Sequence, residues 1–76
     1  MTLKEAVEAG NKIIYAPMSG GLMVVDPTEE NRIQIESNNL FKEFFDMQEK
    51  EIQLVSTKNR GHHILHGQVQ IWTKKK

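Results

Sequence analysis

Asn39-Leu40-Phe41-Lys42-Glu43-Phe44-Phe45-Asp46-Met47-Gln48-Glu49-Lys50 is the stretch on which the reading of this fold turns. Leu40, Phe41, Phe44, Phe45 and Met47 share one arc of a helical wheel. Lys42, Glu43, Asp46, Glu49 and Lys50 share the other, which is the pattern of an amphipathic helix with one face on a core. Ser37, Asn38 and Asn39 stand just ahead of it, and their side chains can accept from first-turn N–H groups. The spacing predicts a helix over about 39–50, packed by its aromatic arc.

Both sides of that helix read as strands. Upstream, Lys12 to Ala16 carries Ile13, Ile14 and Tyr15. Pro17-Met18-Ser19-Gly20-Gly21 is turn chemistry, and Leu22 to Asp26 is a second apolar run, so the pair predicts a hairpin. Asp26-Pro27-Thr28-Glu29-Glu30-Asn31 is a polar turn, and Arg32 to Glu36 alternates with Ile33 and Ile35 on one face. Downstream, Glu51 to Thr57 alternates, with Ile52 and Leu54 opposite Gln53 and Val55. Lys58-Asn59-Arg60-Gly61 reads as a turn, and His62 to Thr73 as a long last strand with a possible bulge at Gly67. In that strand Leu65, Val69 and Ile71 point one way, and Ile64, His66, Gln68, Gln70 and Trp72 the other. At the start, Thr2-Leu3-Lys4-Glu5 has capping-box form, Leu3, Ala6 and Val7 have helical spacing, and Gly10 is the stop.

The order is α-β-β-β-α-β-β and the class α+β: an antiparallel sheet of about five strands, with a C-terminal hairpin and one amphipathic helix packed on the sheet. Ile13 beside Ile14, and Leu22-Met23-Val24-Val25 in a row, place apolar side chains at both parities. One helix layer covers one face only, so the other face calls for curling, the N-terminal helix or a second subunit.

Seventy-six residues predict one domain, 1–76. A chain of that size buries only about 60–65% of its unfolded surface, and small scaffolds commonly add a disulfide, a metal or a partner subunit. There is no cysteine, which excludes disulfides and thiolate zinc sites and leaves a well-packed core or a homo-oligomer. Residues 1–10 lack the basic and apolar regions of a signal peptide, and no apolar run reaches membrane-spanning length. The expectation is a cytoplasmic protein without membrane contact.

Catalytic constellations are hard to assemble from these residues. His62-His63-Ile64-Leu65-His66 has metal-ligand spacing only on a helix; on a strand, four residues span about 13 Å, too far for two ligands of one ion. Ser19-Gly20-Gly21 lacks the lysine and following helix of a phosphate loop, and its glycines suit a hairpin. Ser19 and Ser56 sit in no nucleophile motif. Glu29-Glu30 and the Glu49, Glu51 pair lie in polar turns and helix ends. The reading is therefore non-enzymatic, with no catalytic residue, no metal and no cofactor.

Charge is the remaining signal. All ten acidic residues lie in residues 1–51, against five Lys/Arg there, whereas residues 52–76 hold five cations and no acid. The zero net charge thus hides two opposed halves, a pattern that points to interaction surfaces. Glu43, Asp46 and Glu49 on the helix, and Lys58, Asn59, Arg60, His62 and His63 at the hairpin tip, are the candidate contacts to a protein partner. The alternative is nucleic acid, with Lys58, Arg60, Lys74, Lys75 and Lys76 on phosphates and Trp72 stacking on a base. Against it, the two cationic clusters lie about 30 Å apart on a straight strand. A third possibility is an oligomer that binds a small molecule or nucleotide at a subunit interface near Ser19 to Gly21.

The opening Leu3-Lys4-Glu5-Ala6-Val7-Glu8-Ala9-Gly10-Asn11-Lys12-Ile13, followed by a glycine turn and a second strand, resembles the helix–glycine–strand start of small phage-encoded accessory proteins. It departs from ligand-sequestering members by lacking an aromatic cluster after the first strand. The resemblance implies a small inhibitor or regulator that works by binding, and it carries over no site residue. With the charge pattern, it leads to the expectation of a small accessory, regulatory or inhibitory protein acting through a protein partner.

Overall fold

The computed structural model describes residues 1–17, 19–59 and 68–76. It has helices α1 (Leu3–Glu8) and α2 (Leu40–Met47) and strands β1 (Lys12–Ala16), β2 (Gly21–Val25), β3 (Arg32–Ile33), β4 (Ile52–Asn59) and β5 (Gln68–Lys74). The α+β class and the element order are those expected from the sequence. The five strands form one antiparallel sheet in the order β3-β2-β1-β5-β4.

Local chemistry explains the element ends. Thr2 Oγ1 accepts from the Glu5 N–H at 3.2 Å while the Glu5 carboxylate accepts from the Thr2 N–H at 2.9 Å, a complete capping box. The helix ends in a Schellman motif. Gly10 has φ +93°, its N–H donates to the Val7 carbonyl, and the Asn11 N–H donates to the Ala6 carbonyl. The Asn11 side chain, buried, donates a second bond to that carbonyl at 3.0 Å. Asn39 caps α2 by accepting from the Lys42 N–H at 3.1 Å.

Between β2 and β3 the Asp26 carboxylate organises the turn. It accepts from the N–H groups of Thr28, Glu29, Glu30 and Asn31 and from the Thr28 hydroxyl. These bonds, with that from Glu29 foremost, hold its pKa at about 2. Glu30 takes φ +60° there, and Lys12 Nζ reaches its carboxylate at 3.1 Å.

The core lies between the sheet and the two helices: Leu3, Ala6, Val7, Ile13, Val24, Phe44, Met47, Ile52 and Trp72. The registers Ile13↔Val24 and Ile13↔Trp72 put these side chains on one face, because directly paired residues share a face. Phe44, fully buried, stands over that face. Its ring is 5.1 Å from Tyr15 and 5.5 Å from Trp72, the latter perpendicular.

The structure corrects the sequence expectations at several points. α2 stops at Met47, short of Lys50: Gln48 turns extended (φ −58°, ψ 131°) and bridges to Ile52, and Glu49 takes φ +64°. No glycine or proline announces that stop; it is imposed by the tight turn that brings Ile52 into the core. β3 pairs over Arg32 and Ile33 only, because beyond it the Glu36 N–H donates to the Met1 carbonyl at 2.9 Å. β4 runs to Asn59, through the expected turn residues Lys58 and Asn59. Its register shifts between Leu54 and Ser56, so the ladder irregularity sits at Val55. The expected bulge at Gly67, the histidine segment and Arg60 lie outside the described residues.

Candidate protein-docking surfaces

Aromatic side chains exceed what the core can enclose. On the α2 wheel Phe44 points at the sheet, and Phe41 and Phe45, one turn apart, fall on one flank of it. They remain 38% and 49% exposed. Tyr15, half-buried on β1, sits beneath them, with ring centroids 6.3 Å from Phe41 and 5.8 Å from Phe45, both edge-to-face. Leu22, paired with Tyr15 across the β1–β2 ladder, extends the surface toward an open cleft of about 400 Å³. Met23, Val24, Ile33, Ile35 and Leu40 complete its apolar lining. The cleft exists because β3 is so short: it pairs with Val24 and Val25 and leaves Leu22 and Met23 with no partner on that side. The sequence placed these rings on the packing arc. It could not show that one helix of eight residues buries fully only the centre of that arc.

The candidate acids sit around this aromatic flank in different ways. Asp46 is exposed on the outer side of α2. Glu43, on the opposite flank, is held by a hydrogen bond from the Ser37 hydroxyl. Glu49 lies past the helix end, exposed, with its N–H donating to the Ile52 carbonyl at 2.9 Å.

Among the described residues the lysines of the C-terminal half do not form one surface. Lys58 pairs with Val69 at one end of the β4–β5 ladder, and Lys74 with Ile52 at the other. Lys58 is exposed on the face away from the helices and Lys74 on the helix side, since Val69 and Trp72 differ in parity. Lys75 Nζ donates to the Glu49 carbonyl at 2.7 Å, and the Lys75 N–H donates to the Glu51 carbonyl. Lys4 lies 3.8 Å from Glu51. The charge boundary at Glu51 therefore does not separate a basic unit, because β5 returns between β1 and β4 and brings its lysines beside the last acids.

Trp72 is corrected as a stacking residue. It is 8% exposed, closed against Phe44, and its Nε1 donates to Gln70 Oε1 at 3.0 Å. A ring so enclosed offers no face to a base. Arg60, His62 and His63 lie outside the described residues. Among the described residues no group of three or more His, Asp or Glu side chains is placed to hold a metal ion, and no helix is long and apolar enough to cross a membrane.

Among the described residues no helix lies on the other face of the sheet. Its side chains are those of opposite parity to Ile13: Ile14, Met23 and Ile71 in one cross-strand row, by the registers Ile14↔Met23 and Ile14↔Ile71. Ala16 and Gly21 follow in the next row. Searches against protein families, curated proteins and solved structures return no match.

Proposed function

We infer that this protein works by binding another protein, without catalysis, as a small accessory, regulatory or inhibitory factor, and that the aromatic flank of α2 is its docking surface. One observation carries the reading: Phe41 and Phe45 stand 38% and 49% exposed around Tyr15, contiguous with the apolar cleft beside Leu22. Exposed clusters of large apolar rings mark interaction sites on small proteins, and aromatic anchors dominate binding energy where a partner excludes water. Asp46, exposed on α2 next to Phe45 in sequence, suits a partner whose apolar contact is ringed by lysine or arginine, which would steer the encounter.

The test is a comparison of baits. Wild type, a Phe41→Ser/Phe45→Ser variant and Asp46→Lys are used to capture proteins from native lysate at low and high salt. The aromatic variant keeps its far-UV spectrum and loses the specific partner. Asp46→Lys retains the partner with weaker capture, most visibly at low salt. An unchanged set of captured proteins with the aromatic variant rules this surface out. The nucleic-acid alternative has less support: its aromatic is enclosed, and its lysines occupy opposite faces and ends of the sheet.

A further inference from the structure

We propose that the open face of the sheet is the interface of a homodimer, two copies packed face to face about a twofold axis that runs across the strands. This goes beyond the docking surface on α2, whose rings lie on the opposite side of the sheet; the two surfaces meet at the β2 edge, where Met23 and Arg32 also line the cleft.

The argument starts with side-chain size by row. Met23, Ile14 and Ile71 form a row of large apolar groups across β2, β1 and β5. Two residues further along each strand, about 6.6 Å away, the positions are Gly21, Ala16 and Val69. A row of large side chains therefore lies beside a row of smaller ones, and an open groove of about 390 Å³ runs over this face along β2, from Gly21, Ala16 and Val69 past Ile14 and Met23 to Val25, Glu30 and Arg32. A twofold axis midway between the two rows places each copy's large row against the other copy's smaller row. Met23 meets the partner's Gly21, Ile14 the partner's Ala16, and Ile71 the partner's Val69. The face is complementary to itself under one operation, which is the requirement of an isologous dimer. The strands of the two sheets stay aligned, as in face-to-face sandwiches.

Charge and area agree with a second copy. Exposed cations of this face stand at opposite corners: Arg32 at the β3 edge and Lys58 at the β4 edge, at opposite ends of the strands. The twofold carries Arg32 toward the Gly21 end of the partner's β2 and Lys58 toward its Ser56, so neither meets its own kind. Four strands about 4.8 Å apart and five residues long span a footprint of about 320 Å². With side-chain relief this is about 500 Å² of accessible surface per copy, or about 1,000 Å² in total, the lower bound of a specific interface. Area at that lower bound does not set an affinity; the dimer proposed is a weak one, dissociating within about 1–100 μM. Met23, 39% exposed, is the residue the partner covers most.

Sedimentation equilibrium from about 1 μM to 500 μM, a range that brackets that affinity, tests the proposal with two variants. Met23→Lys puts a charge into the interface. Gly21→Leu fills the row of smaller side chains instead; an added Cβ there stands 3.5 Å from Ser19 Oγ and 3.8 Å from Ala16 Cβ, ordinary contact distances, so the single copy accepts it. Wild type shifts from monomer to dimer mass across the range. Both variants keep the wild-type far-UV spectrum and dissociate at least about 100-fold more readily, as expected when an interface core is made to hold a charge or a clash. Phe45→Lys, on the far side of the sheet, leaves the mass curve unchanged. Monomer mass for wild type at 500 μM overturns the proposal, whatever else the face then binds. So does a dimer that survives both variants, or one that Phe45→Lys abolishes.

Discussion

Truncating Phe44 tests the packing that defines this fold. Its side chain is fully buried, 5.1 Å from Tyr15, 5.4 Å from Phe45 and 5.5 Å from Trp72 by ring centroid. Phe44→Ala removes the burial and opens a cavity under α2, a loss of about 3–5 kcal/mol. A chain of this length has roughly 4–11 kcal/mol of total stability at about 0.05–0.15 kcal/mol per residue. The variant is therefore unfolded at the low end of that range and keeps at most about 8 kcal/mol at the high end. Phe44→Leu keeps most of the apolar burial and gives up the ring geometry, worth about 0.5–1.5 kcal/mol for an aromatic pair; the three pairs share one ring and do not add in full, so it loses about 1–3 kcal/mol. Phe45→Ala, half-exposed on the same helix, loses less than about 1 kcal/mol. Urea unfolding followed by the single tryptophan reads the difference, because Trp72 is closed against Phe44 in the folded state. With a slope near 1 kcal/mol per molar urea, Phe44→Leu lowers the midpoint by about 1–3 M and Phe45→Ala by less than about 1 M. Circular dichroism must give the same midpoints, since the substitution alters the tryptophan's own surroundings. If Phe45→Ala costs as much as Phe44→Leu, the two rings share the core equally, and the exposed flank assigned to docking does not exist.

Three further outcomes are expected. Gly10→Ala lowers stability by about 1 kcal/mol, or about 4–8 °C in melting temperature for a domain this small; no atom lies near the added Cβ, so the loss is backbone strain at φ +93° alone. Glu49→Gly stabilises by a few tenths to about 1 kcal/mol in chemical denaturation, because glycine relieves the left-handed backbone at φ +64°, less its own entropy on folding. Asp26, whose pKa falls from 3.8 to about 2, contributes stability that is complete above pH 3.8 and lost as pH falls through about 2. Melting curves at pH 7, 4 and 2 should therefore fall more steeply for wild type than for Asp26→Asn between the last two points, and parallel curves would remove Asp26 from that role.

Much of this architecture is written locally. Thr2 and Glu5, three apart, close a capping box; Gly10 takes the positive φ that ends α1; Asn39 starts α2. Each of these interactions spans a few residues, so the residue types and their spacing suffice to locate them. The period change from 2 to 3.6 and back at Leu40 and Ile52 likewise separates helix from strands without any knowledge of the rest of the chain.

Pairings between distant segments were not legible in that way. Nothing near Trp72 says that β5 lies against β1, yet the register Ile13↔Trp72 decides that this ring is buried beneath Phe44 and not free to stack on a base. The same placement carries Lys75 to Glu49 and dissolves the charge boundary that the chain shows when read in order. For the aromatic arc of α2, the sequence supplied the rings, and the width of the sheet beneath decided which remained exposed. Ile13 and Ile14 are adjacent and equally apolar, so their local signals are the same; pairing and the position of two helices put one in the core and the other on the open face. The succession of elements and their caps can be read along the chain, because they rest on short-range hydrogen bonds and periodicity. Which surfaces are left for partners emerges when the distant segments pack, because exposure is a property of what the rest of the chain covers.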